Sequence, residues 1–447
     1  LFKIPLGTYA LAGRDTSTWI NRTLHSIGER PVVFDTIQAR LTCDDLRMAM
    51  QNIGYMNTTV SVDTKVNGKK LKAIYTIHPG MPYYINSLTY DIQDDNIARI
   101  LDFNNTQNQK LHKGDIFTVD RLDTERKRIT SILLDSGYYR FHKDFIQYTA
   151  DSSVGNRKVD VVLHLMKYRA TNDSPEKSHP CYNIRNVIFL SGDSDHIHLR
   201  QKVLDNNTLI FSGHPFCSSA LQKTYNNFGK LHAVKYTNIK FNELPDTTLL
   251  DCEIQISTNK PSTLAFQPEG TNTAGDFGAA ASLTYENRNL FRGSENFSVE
   301  LRGAFEAITG LEGYQNQDYK EYSVETKLGF PRFVAPFLSK KFMYRSNATS
   351  ELSLSWDLQN RPEFHRRVFS AAWRYKWTEP HNNLSYRFDL IDLNYVYMPW
   401  ISETFKHDYL DSVNNRNAIL RYNYEDLFIM RIGFGLSLAR ISVTTII

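Results

Sequence analysis

Apolar residues within the first 260 positions recur at helical spacing in three segments, and each segment ends at a glycine. In the clearest segment, Leu46, Met50 and Ile53 share one helical face behind an expected N-cap at Thr42. A glycine after such a face can end the helix by adopting the left-handed conformation. The pattern therefore predicts three amphipathic helices that stop at the same kind of residue: Gly54, Gly137 and Gly229.

Each helix is followed by a strand of mixed polarity, a polar turn and a strand in which apolar and polar residues alternate. Alternation is typical of a strand with one buried face. An opening strand is readable before the second and third helical segments, so the repeated unit is strand, helix, helix, strand, strand. The closing strands are Leu71–His78, Val159–Met166 and Leu250–Ile256, and the opening strands are Ile85–Tyr90 and Ile184–Phe189.

The repeated unit predicts three α+β domains, because a three-stranded sheet needs its helices over one face to build a core. The first domain lacks a readable opening strand. We expect hinges near residue 81 and across 170–180, and limited proteolysis should cut first around Thr171–Lys177, where the chain is polar and contains proline. The predicted domains are residues 1–80, 81–170 and 180–258.

Beyond residue 260 the helical spacing gives way to long strands of alternating polarity. Lipid on one side and water on the other select such alternation in a membrane barrel. A soluble β-sandwich is the alternative. We expect residues 260–447 to form the first half of an antiparallel transmembrane β-barrel. In the clearest strand the residues expected to face lipid are Phe297, Val299, Leu301 and Phe305, and those expected to face the lumen are Ser298, Glu300 and Arg302.

The composition favours a barrel wall over a spanning helix. The chain has 25 Tyr, 26 Phe and 5 Trp, yet its mean hydropathy is only −0.43. Barrel walls combine a polar interior with aromatic residues at both membrane interfaces. No stretch reaches the roughly 20 consecutive apolar residues that a spanning helix needs. Any membrane crossing is therefore expected to use strands.

Charge and motifs argue against two further classes of protein. The chain carries 52 Lys and Arg against 48 Asp and Glu, and it has no long basic run of the kind found in nucleic-acid-binding proteins. No GxSxG, HExxH, P-loop or GxGxxG pattern occurs. We therefore expect no nucleic-acid partner, no enzymatic activity and no cofactor.

Two groups of polar side chains have both a chemical and a structural interpretation. The first could ligate a metal, but N-cap residues at a helix start explain it as well. It comprises Asp193, Asp195, His196 and His198. The second could suggest carboxylate catalysis, but the wet wall of a lumen is the simpler interpretation. It comprises Glu300, Glu306, Glu325 and Asp389.

The four cysteines show no CxxC spacing, which argues against a zinc or thioredoxin-like site. Three of them fall between residues 181 and 252. One disulfide in an oxidising compartment is therefore an alternative to free buried thiols. The four positions are Cys43, Cys181, Cys217 and Cys252.

Several short motifs resemble known families. The Gly-Tyr pairs at Gly54 and Gly137, the segment His78–Leu88 and the helix entry Lys113–Phe117 resemble POTRA domains. The stretch Tyr285–Gly293, followed by an alternating strand, resembles the early barrel hairpins of the BamA/TamA superfamily of outer-membrane assembly proteins. Within that superfamily, Ile27–Asp35 is most similar to the TamA-like lipoprotein branch of Bacteroidetes, often called TamL.

The resemblance implies a barrel of sixteen strands with an Arg-Gly motif on a late inward loop. We count only eight or nine strand candidates after residue 260, so the late strands and that motif are expected beyond residue 447. Leu301-Arg302-Gly303 is not the motif, because it lies in an early strand. A lipoprotein would begin with an acylated cysteine, whereas position 1 is leucine, which leaves lipidation open.

A POTRA sheet, as the resemblance implies, leaves one strand on an edge that an extended chain can join through its backbone. Ordinary solvated edges are the alternative. Similar edges are expected at Thr58–Val62 and Lys143–Tyr148. In the third unit the edge would be Ala233, Val234, Lys235, Tyr236, Thr237, Asn238 and Ile239. The first side of the barrel seam would be Thr263, Leu264, Ala265 and Phe266.

Together these features predict a factor that recruits unfolded clients through POTRA edges and assists their insertion or export at the barrel seam. It would lie in the outer membrane, in contact with its lipid, with the α+β repeats in the periplasm. The expected partners are outer-membrane or surface proteins, and the TamL resemblance adds a TamB-like protein anchored in the inner membrane. Two alternatives stay open: a general BamA-type insertase, and a secretion pore or receptor dedicated to one substrate.

Overall fold

The structure is a computed structural model of the 447-residue chain. It describes residues 9, 11, 12, 15, 17–29, 33–68, 70–101, 109–169, 175–192, 196–273, 276–307, 318–335, 348–379, 384–410 and 423–438. The chain divides into two compact units, residues 1–181 and 182–447. The division into three α+β domains therefore stays a prediction, and much of the expected cleavage segment, residues 171–174, lies outside the described residues.

The described part of the first α+β region contains two helices and a hairpin. Helix α1 spans Trp19–Ile27 and helix α2 spans Thr36–Asn52, and strands β1 (Thr59–Asn67) and β2 (Lys70–His78) pair antiparallel. Helix α2 begins earlier than expected because the Asp35 carboxylate caps it, accepting from the Ile37 N–H at 2.8 Å.

The expected N-cap at Thr42 is therefore wrong. Thr42 lies inside helix α2, where its hydroxyl donates to the Gln38 carbonyl at 2.8 Å. A threonine within a helix can satisfy its hydroxyl on the carbonyl one turn back, so the residue type alone does not mark a helix start. The expected glycine stop is confirmed at the other end, because Gly54 has a φ of +101°.

The second α+β region has the sheet order β3-β5-β4, with β3 parallel and β4 antiparallel to the central strand. Helix α4 begins where the Thr118 hydroxyl accepts from the Arg121 N–H at 3.2 Å, and Gly137 follows its end with a φ of +99°. The elements are β3 (Tyr84–Ile92), α3 (Asp95–Leu101), α4 (Val119–Asp135), β4 (Ile146–Asp151) and β5 (Lys158–Leu165). Its core includes the fully buried Ile129, Leu133, Ile146 and Leu163.

The third α+β region repeats this arrangement with the order β6-β8-β7. Its helix α6 ends at Gly229 as expected, but Gly229 is the last helical residue and not a left-handed stop, and the C-cap Lys230 has a φ of −85°. The elements are β6 (Asn183–Ser191), α5 (Gln201–Asn207), α6 (Ser218–Gly229), β7 (Val234–Glu243) and β8 (Leu249–Thr258). Phe228, Leu250, Ile254 and Ile256 are fully buried beneath its helices.

Eight antiparallel strands follow, each paired with its neighbours in the chain, and the sheet that they form is not closed among the described residues. Strands β9 and β16 are its two edges. The described helices include none that is long and apolar enough to cross a membrane. The strands are β9 (Ser262–Thr273), β10 (Asp276–Asn287), β11 (Asn296–Glu306), β12 (Tyr319–Phe330), β13 (Thr349–Asn360), β14 (Phe364–Glu379), β15 (Leu384–Ile401) and β16 (Leu427–Leu438).

Strand register divides this sheet into an apolar and a polar face, which confirms the predicted alternation. Leu301 lies between Leu283 and Val324 on the neighbouring strands, whereas Arg302 lies between two serines, Ser282 and Ser323. Residues directly opposite each other in an antiparallel ladder share a face. The apolar row is therefore continuous across strands β10 to β12, and the charged residues lie behind it.

Candidate strand-addition edges

Strand β7 forms an outer edge of the third sheet, because β8 lies between it and β6. All residues of the predicted accepting segment except Ala233 lie within β7. An edge strand directs backbone N–H and C=O groups to its outer side, where another extended chain can pair with them. The predicted segment therefore lies where strand addition is geometrically possible.

The first residues of the segment already have backbone partners. The Ala233 N–H donates to the Ser294 hydroxyl at 2.9 Å, and its C=O accepts from the Asn259 N–H at 2.8 Å. The Val234 C=O accepts from the Asn259 side chain at 3.2 Å. Lys235 lies at a register shift between β7 and β8. Only the residues after Lys235 can therefore pair with an incoming extended chain.

The centre of the edge is occupied by a tyrosine from helix α6. The Ile239 N–H donates to the Tyr225 hydroxyl at 2.9 Å, and the same hydroxyl donates to the Ile239 C=O at 3.4 Å. A phenol can do both because its oxygen accepts while its proton is donated. The backbone groups of Ile239 therefore point away from β8 and toward the outer side.

The backbone groups of alternate residues along β7 share this outward direction. Consecutive residues of an antiparallel strand direct their backbone groups to opposite sides, and the ladder is regular from Thr237 onward. Thr237 and Phe241 therefore point outward with Ile239. The Thr237 hydroxyl is buried and has no hydrogen-bond partner among the described residues. A substitution that removes this hydroxyl therefore breaks no hydrogen bond in the described part of the chain.

The side chains of the segment divide between the two sheet faces. Ile239 is 8% exposed, whereas Tyr236, on the other face, is 47% exposed. Asn238 shares the face of Tyr236 and is half-buried. A probe attached at Tyr236 would therefore lie outside the core and next to the edge.

The corresponding edges of the other regions are also partly occupied. In the second region the predicted edge begins later than expected, because Lys143–Phe145 forms a 3₁₀ turn and the strand starts at Ile146. There the Arg126 guanidinium donates to the Ile146 C=O at 2.9 and 2.6 Å. In the first region, Thr58 is buried and precedes strand β1, which holds the remainder of the predicted edge Thr58–Val62.

The predicted seam residues lie on the first edge of the eight-stranded sheet. Thr263 to Phe266 fall within β9, which pairs only with β10 among the described strands. Leu264 and Phe266 are 69% and 68% exposed. Thr263 and Ala265 alternate with them and take the other face. The seam segment therefore combines an open backbone edge with a strongly exposed apolar face.

Only three residues, Asn259, Lys260 and Pro261, separate the end of β8 from the start of β9. The Asn259 side chain donates to the carbonyls of His232 and Val234 at 3.1 and 3.2 Å. The three-residue linker is thus hydrogen-bonded to the residues at the start of β7 and just before it. The central strand of the third sheet leads almost directly into the predicted seam strand.

A second connection comes from the turn between β10 and β11. Glu295 is 2% exposed, and its carboxylate accepts from the Gly293 N–H at 2.8 Å and from the Arg200 guanidinium at 2.9 Å. The Asn289 side chain donates to the His198 C=O at 2.7 Å. Buried carboxylates need such charge-assisted partners. The turn is therefore bound to the third α+β region at several points.

This turn gives a physical reason for the glycine in the motif Tyr285–Gly293. A Cβ added to Gly293 would lie 2.1 Å from the Glu295 carboxylate and 2.6 Å from the Arg200 guanidinium. Both distances are shorter than a nonbonded contact allows. Glycine at this position therefore leaves the space in which the ion pair forms.

The predicted lumen residues lie among ion pairs on the polar face. Arg302 contacts Glu269 at 3.3 Å and Glu321 at 3.4 Å, on strands at either side of its own hairpin. Asp389 contacts Arg387 at 2.9 Å and Arg374 at 3.5 Å. Glu325, which faces Glu300 across β11 and β12, contacts Lys327 at 2.8 Å. Glu306 ends β11 on the same face.

All four cysteines are free, so the alternative of a disulfide is not realised. Burial raises the pKa of the Cys252 thiol, in the central strand of the third sheet, to about 12. The candidate metal residues Asp193 and Asp195 lie outside the described residues, whereas His196 and His198 are described. No three ligand-type side chains converge in the described part of the chain.

Sequence reasoning missed two parts of this site. Tyr225 precedes Gly229 in the third helical segment, and nothing in its spacing shows that its hydroxyl reaches a strand edge. Ser294 and Glu295 follow the recognised Tyr285–Gly293 motif. The signal that could have identified them is the glutamate directly after a glycine turn. If its carboxylate is buried there, it needs hydrogen-bond partners from outside the hairpin.

No family model and no curated protein matches this sequence. Among solved structures, BamA from Haemophilus ducreyi lacking POTRA domains 1–3 is 12% identical with a TM-score of 0.41, and the match covers 70% of this chain and 66% of that one. CdiB from Acinetobacter baumannii is 10% identical with a TM-score of 0.32, covering 83% and 73% respectively. The POTRA3–5 fragment of Haemophilus influenzae BamA is 13% identical with a TM-score of 0.31, covering 51% and 84%. The chain thus spans slightly less than two thirds of the first BamA structure.

Proposed function

We propose that this protein is a non-enzymatic outer-membrane assembly or translocation factor. Extended client chains would pair with the edge of β7 and then meet the edge of β9, where insertion or export takes place. The clients are outer-membrane or surface proteins, and the α+β regions lie in the periplasm. The energy comes from client folding, and the proposal includes no cofactor.

The observation that carries the proposal is the arrangement of two strand edges in one compact unit. The backbone of β7 points outward at Thr237 and Ile239, and the seam strand β9 starts three residues after the strand that pairs with β7. Backbone pairing depends on an extended shape more than on particular side chains. Such edges suit a protein that handles many different clients.

A finer placement is part of the same proposal. On the resemblance of Ile27–Asp35, the chain is assigned to the TamL branch, and a TamB-like protein anchored in the inner membrane is its proposed partner. The full precursor sequence tests this placement. A lipobox cysteine upstream would support it, and a precursor without one would favour a general BamA-type insertase.

Proline at Thr237 tests the function of the edge. Thr237→Pro removes one outward N–H, leaves the ladder to β8 intact and eliminates a hydroxyl that has no hydrogen-bond partner among the described residues. We expect client crosslinks from a photoreactive residue at Tyr236 to fall severalfold in cells that express the full-length protein. Thr237→Val is the matched control, because it keeps the N–H and the shape of the side chain.

Two further variants locate the effect. Lys235→Gln changes a side chain at the register shift and should leave crosslinking unchanged. A photoreactive residue at Leu264 reports on the seam. Crosslinks at Leu264 without any at Tyr236 would reject β7 as the recognition edge, and loss of crosslinking in Thr237→Val would show that the side chain, not the backbone, is recognised.

A further inference from the structure

The hydroxyl of Tyr225 and an incoming strand compete for the same atoms. A chain that joins the outer side of β7 must take the Ile239 N–H and C=O, and both are already bonded to Tyr225. The Ile239 N–H carries a single proton, so it cannot donate to both partners in good geometry. Strand addition across Ile239 therefore requires the tyrosine side chain to leave.

We propose that Tyr225 is a gate on the β7 edge, closed when its hydroxyl bonds Ile239 and open when the ring has rotated away. The inference rests on the proposed function, in which β7 accepts an extended chain. The partner is defined by its chemistry: an extended polypeptide with backbone N–H groups at alternate residues on both sides of Ile239. A chain that offers proline at those positions cannot replace the bonds that Tyr225 gives up.

The helix that carries the gate is fixed, so the ring can move alone. Thr224 is fully buried, and its hydroxyl donates to the Ala220 C=O at 2.7 Å and accepts from the Leu209 N–H at 3.0 Å. Phe228, one turn later, is also fully buried. Tyr225 itself is half-buried. Opening therefore needs a rotation of one partly exposed side chain and no movement of helix α6.

The gate also distinguishes the edge strand of the third α+β sheet from the edge strand of the second. In the second region Arg126 donates only to a carbonyl, that of Ile146, at the first residue of its edge strand. Tyr225 occupies both backbone groups of a residue in the middle of its strand. A peptide that pairs with β7 at Ile239 alone therefore gains no net hydrogen bond there. A longer chain pairs on both sides of Ile239 and displaces the hydroxyl.

The direct test compares Tyr225→Phe with the parent protein, both full-length and in lipid nanodiscs. The probe is a fluorescent peptide that copies Asn296–Glu306, an alternating strand of this chain. Removing the hydroxyl deletes the contact that competes with the peptide for the Ile239 backbone, so peptide affinity should rise about 2- to 12-fold. Tyr83→Phe is the matched control, because it removes a half-buried, hydrogen-bonded phenol outside the third α+β region, and its affinity should equal that of the parent. The same peptide with proline in place of Leu301 should bind neither protein.

Hydrogen exchange separates the gate from a loss of structure. In Tyr225→Phe the Ile239 amide should exchange faster, while the Ile254 amide in the buried central strand keeps its protection. Should the variant fold poorly, nitration by tetranitromethane gives a test in the unaltered protein. Bound peptide should raise the modification of Tyr225, because the displaced phenol becomes exposed.

The outcomes distinguish the two proposals. Equal peptide affinity in Tyr225→Phe and the parent, or unchanged nitration of Tyr225 on binding, rejects the gate and leaves strand addition standing. Weaker binding with intact Ile254 protection also rejects the gate, because it makes Tyr225 a contact for the peptide. Absence of peptide binding to all variants rejects strand addition at β7, and the gate with it.

Discussion

The third α+β sheet and the eight-stranded sheet are built from strands of the same alternating pattern, but their apolar faces have opposite surroundings. In β8, Leu250, Cys252, Ile254 and Ile256 are all 0% exposed beneath helices of the same region. In β16 every second residue from Phe428 to Leu438 is at least 59% exposed. The pattern thus specifies a two-faced strand, and the neighbouring elements decide what covers the apolar face.

The exposed face is too continuous for a protein that meets only water. Soluble monomers rarely expose contiguous apolar patches larger than a few hundred Å². Here the exposed residues extend across strands from Leu264 and Phe266 on β9 to Phe434 on β16. Under the proposed function, lipid covers this apolar face, and ion pairs lie on the other face.

The largest expected effect comes from the covered face. Ile254→Ala removes a fully buried side chain from the core of the third region, so the free energy of unfolding should fall by about 2 to 5 kcal/mol. Leu301→Ala, at a side chain that is 45% exposed, should cost much less. Urea titration of the full-length protein, monitored by the hydrogen-exchange protection of the β8 amides, measures the free energy of unfolding of both variants. Similar losses would mean that the two apolar faces are equally covered by protein.

A charge on the exposed face gives the next largest effect. Val299→Arg should destabilise the inserted protein by about 2 to 4 kcal/mol if Val299 lies near the bilayer midplane. Ser298→Arg is the matched control, because Ser298 is the neighbour on the polar face, and its cost should be far smaller. Folding titrations in lipid vesicles compare the two. Equal tolerance would indicate a soluble sandwich.

The smallest effect is expected at the solvent side of the third sheet. Arg185 donates two hydrogen bonds to Asp251, one of them at 2.8 Å, and this lowers the pKa of the Asp251 carboxyl. A lowered pKa stabilises the fold above the ordinary aspartate pKa, and the contribution disappears as the pH falls through the lowered value. Asp251→Asn should therefore lose a little stability at neutral pH and match the parent in acid. A difference that persists in acid would mean that the amide disturbs packing. Thermal denaturation across the pH range measures it.

The sequence was sufficient for the architecture because the architecture depends on periodicity. Helical spacing before Gly54 and Gly137, and alternation along β11, each fix which side of an element is buried. The strand that forms each edge was implied by the POTRA resemblance, and the start of the second edge, at Ile146, differed from the expectation. The backbone conformation at Gly229 was not predictable in the same way, because glycine permits the left-handed conformation without requiring it.

The contacts at the candidate site depend on distances across the fold and could not be predicted. Tyr225 and Ile239 are separated by 14 positions, and Ala233 and Ser294 by 61. Periodicity predicted the helix that carries Tyr225 but could not show that the tyrosine hydroxyl reaches the strand edge. The same holds for Arg200 and Glu295, whose pairing depends on how a hairpin turn meets a different sheet.

The two connections between the third α+β region and the eight-stranded sheet have a mechanical consequence. The linker at residues 259–261 and the turn around Glu295 both hold the third α+β region to the eight-stranded sheet. A strand captured on β7 would then stay attached to the sheet that contains β9 instead of diffusing freely. Such tethering raises the effective concentration of the captured strand at β9 without any additional contact between them.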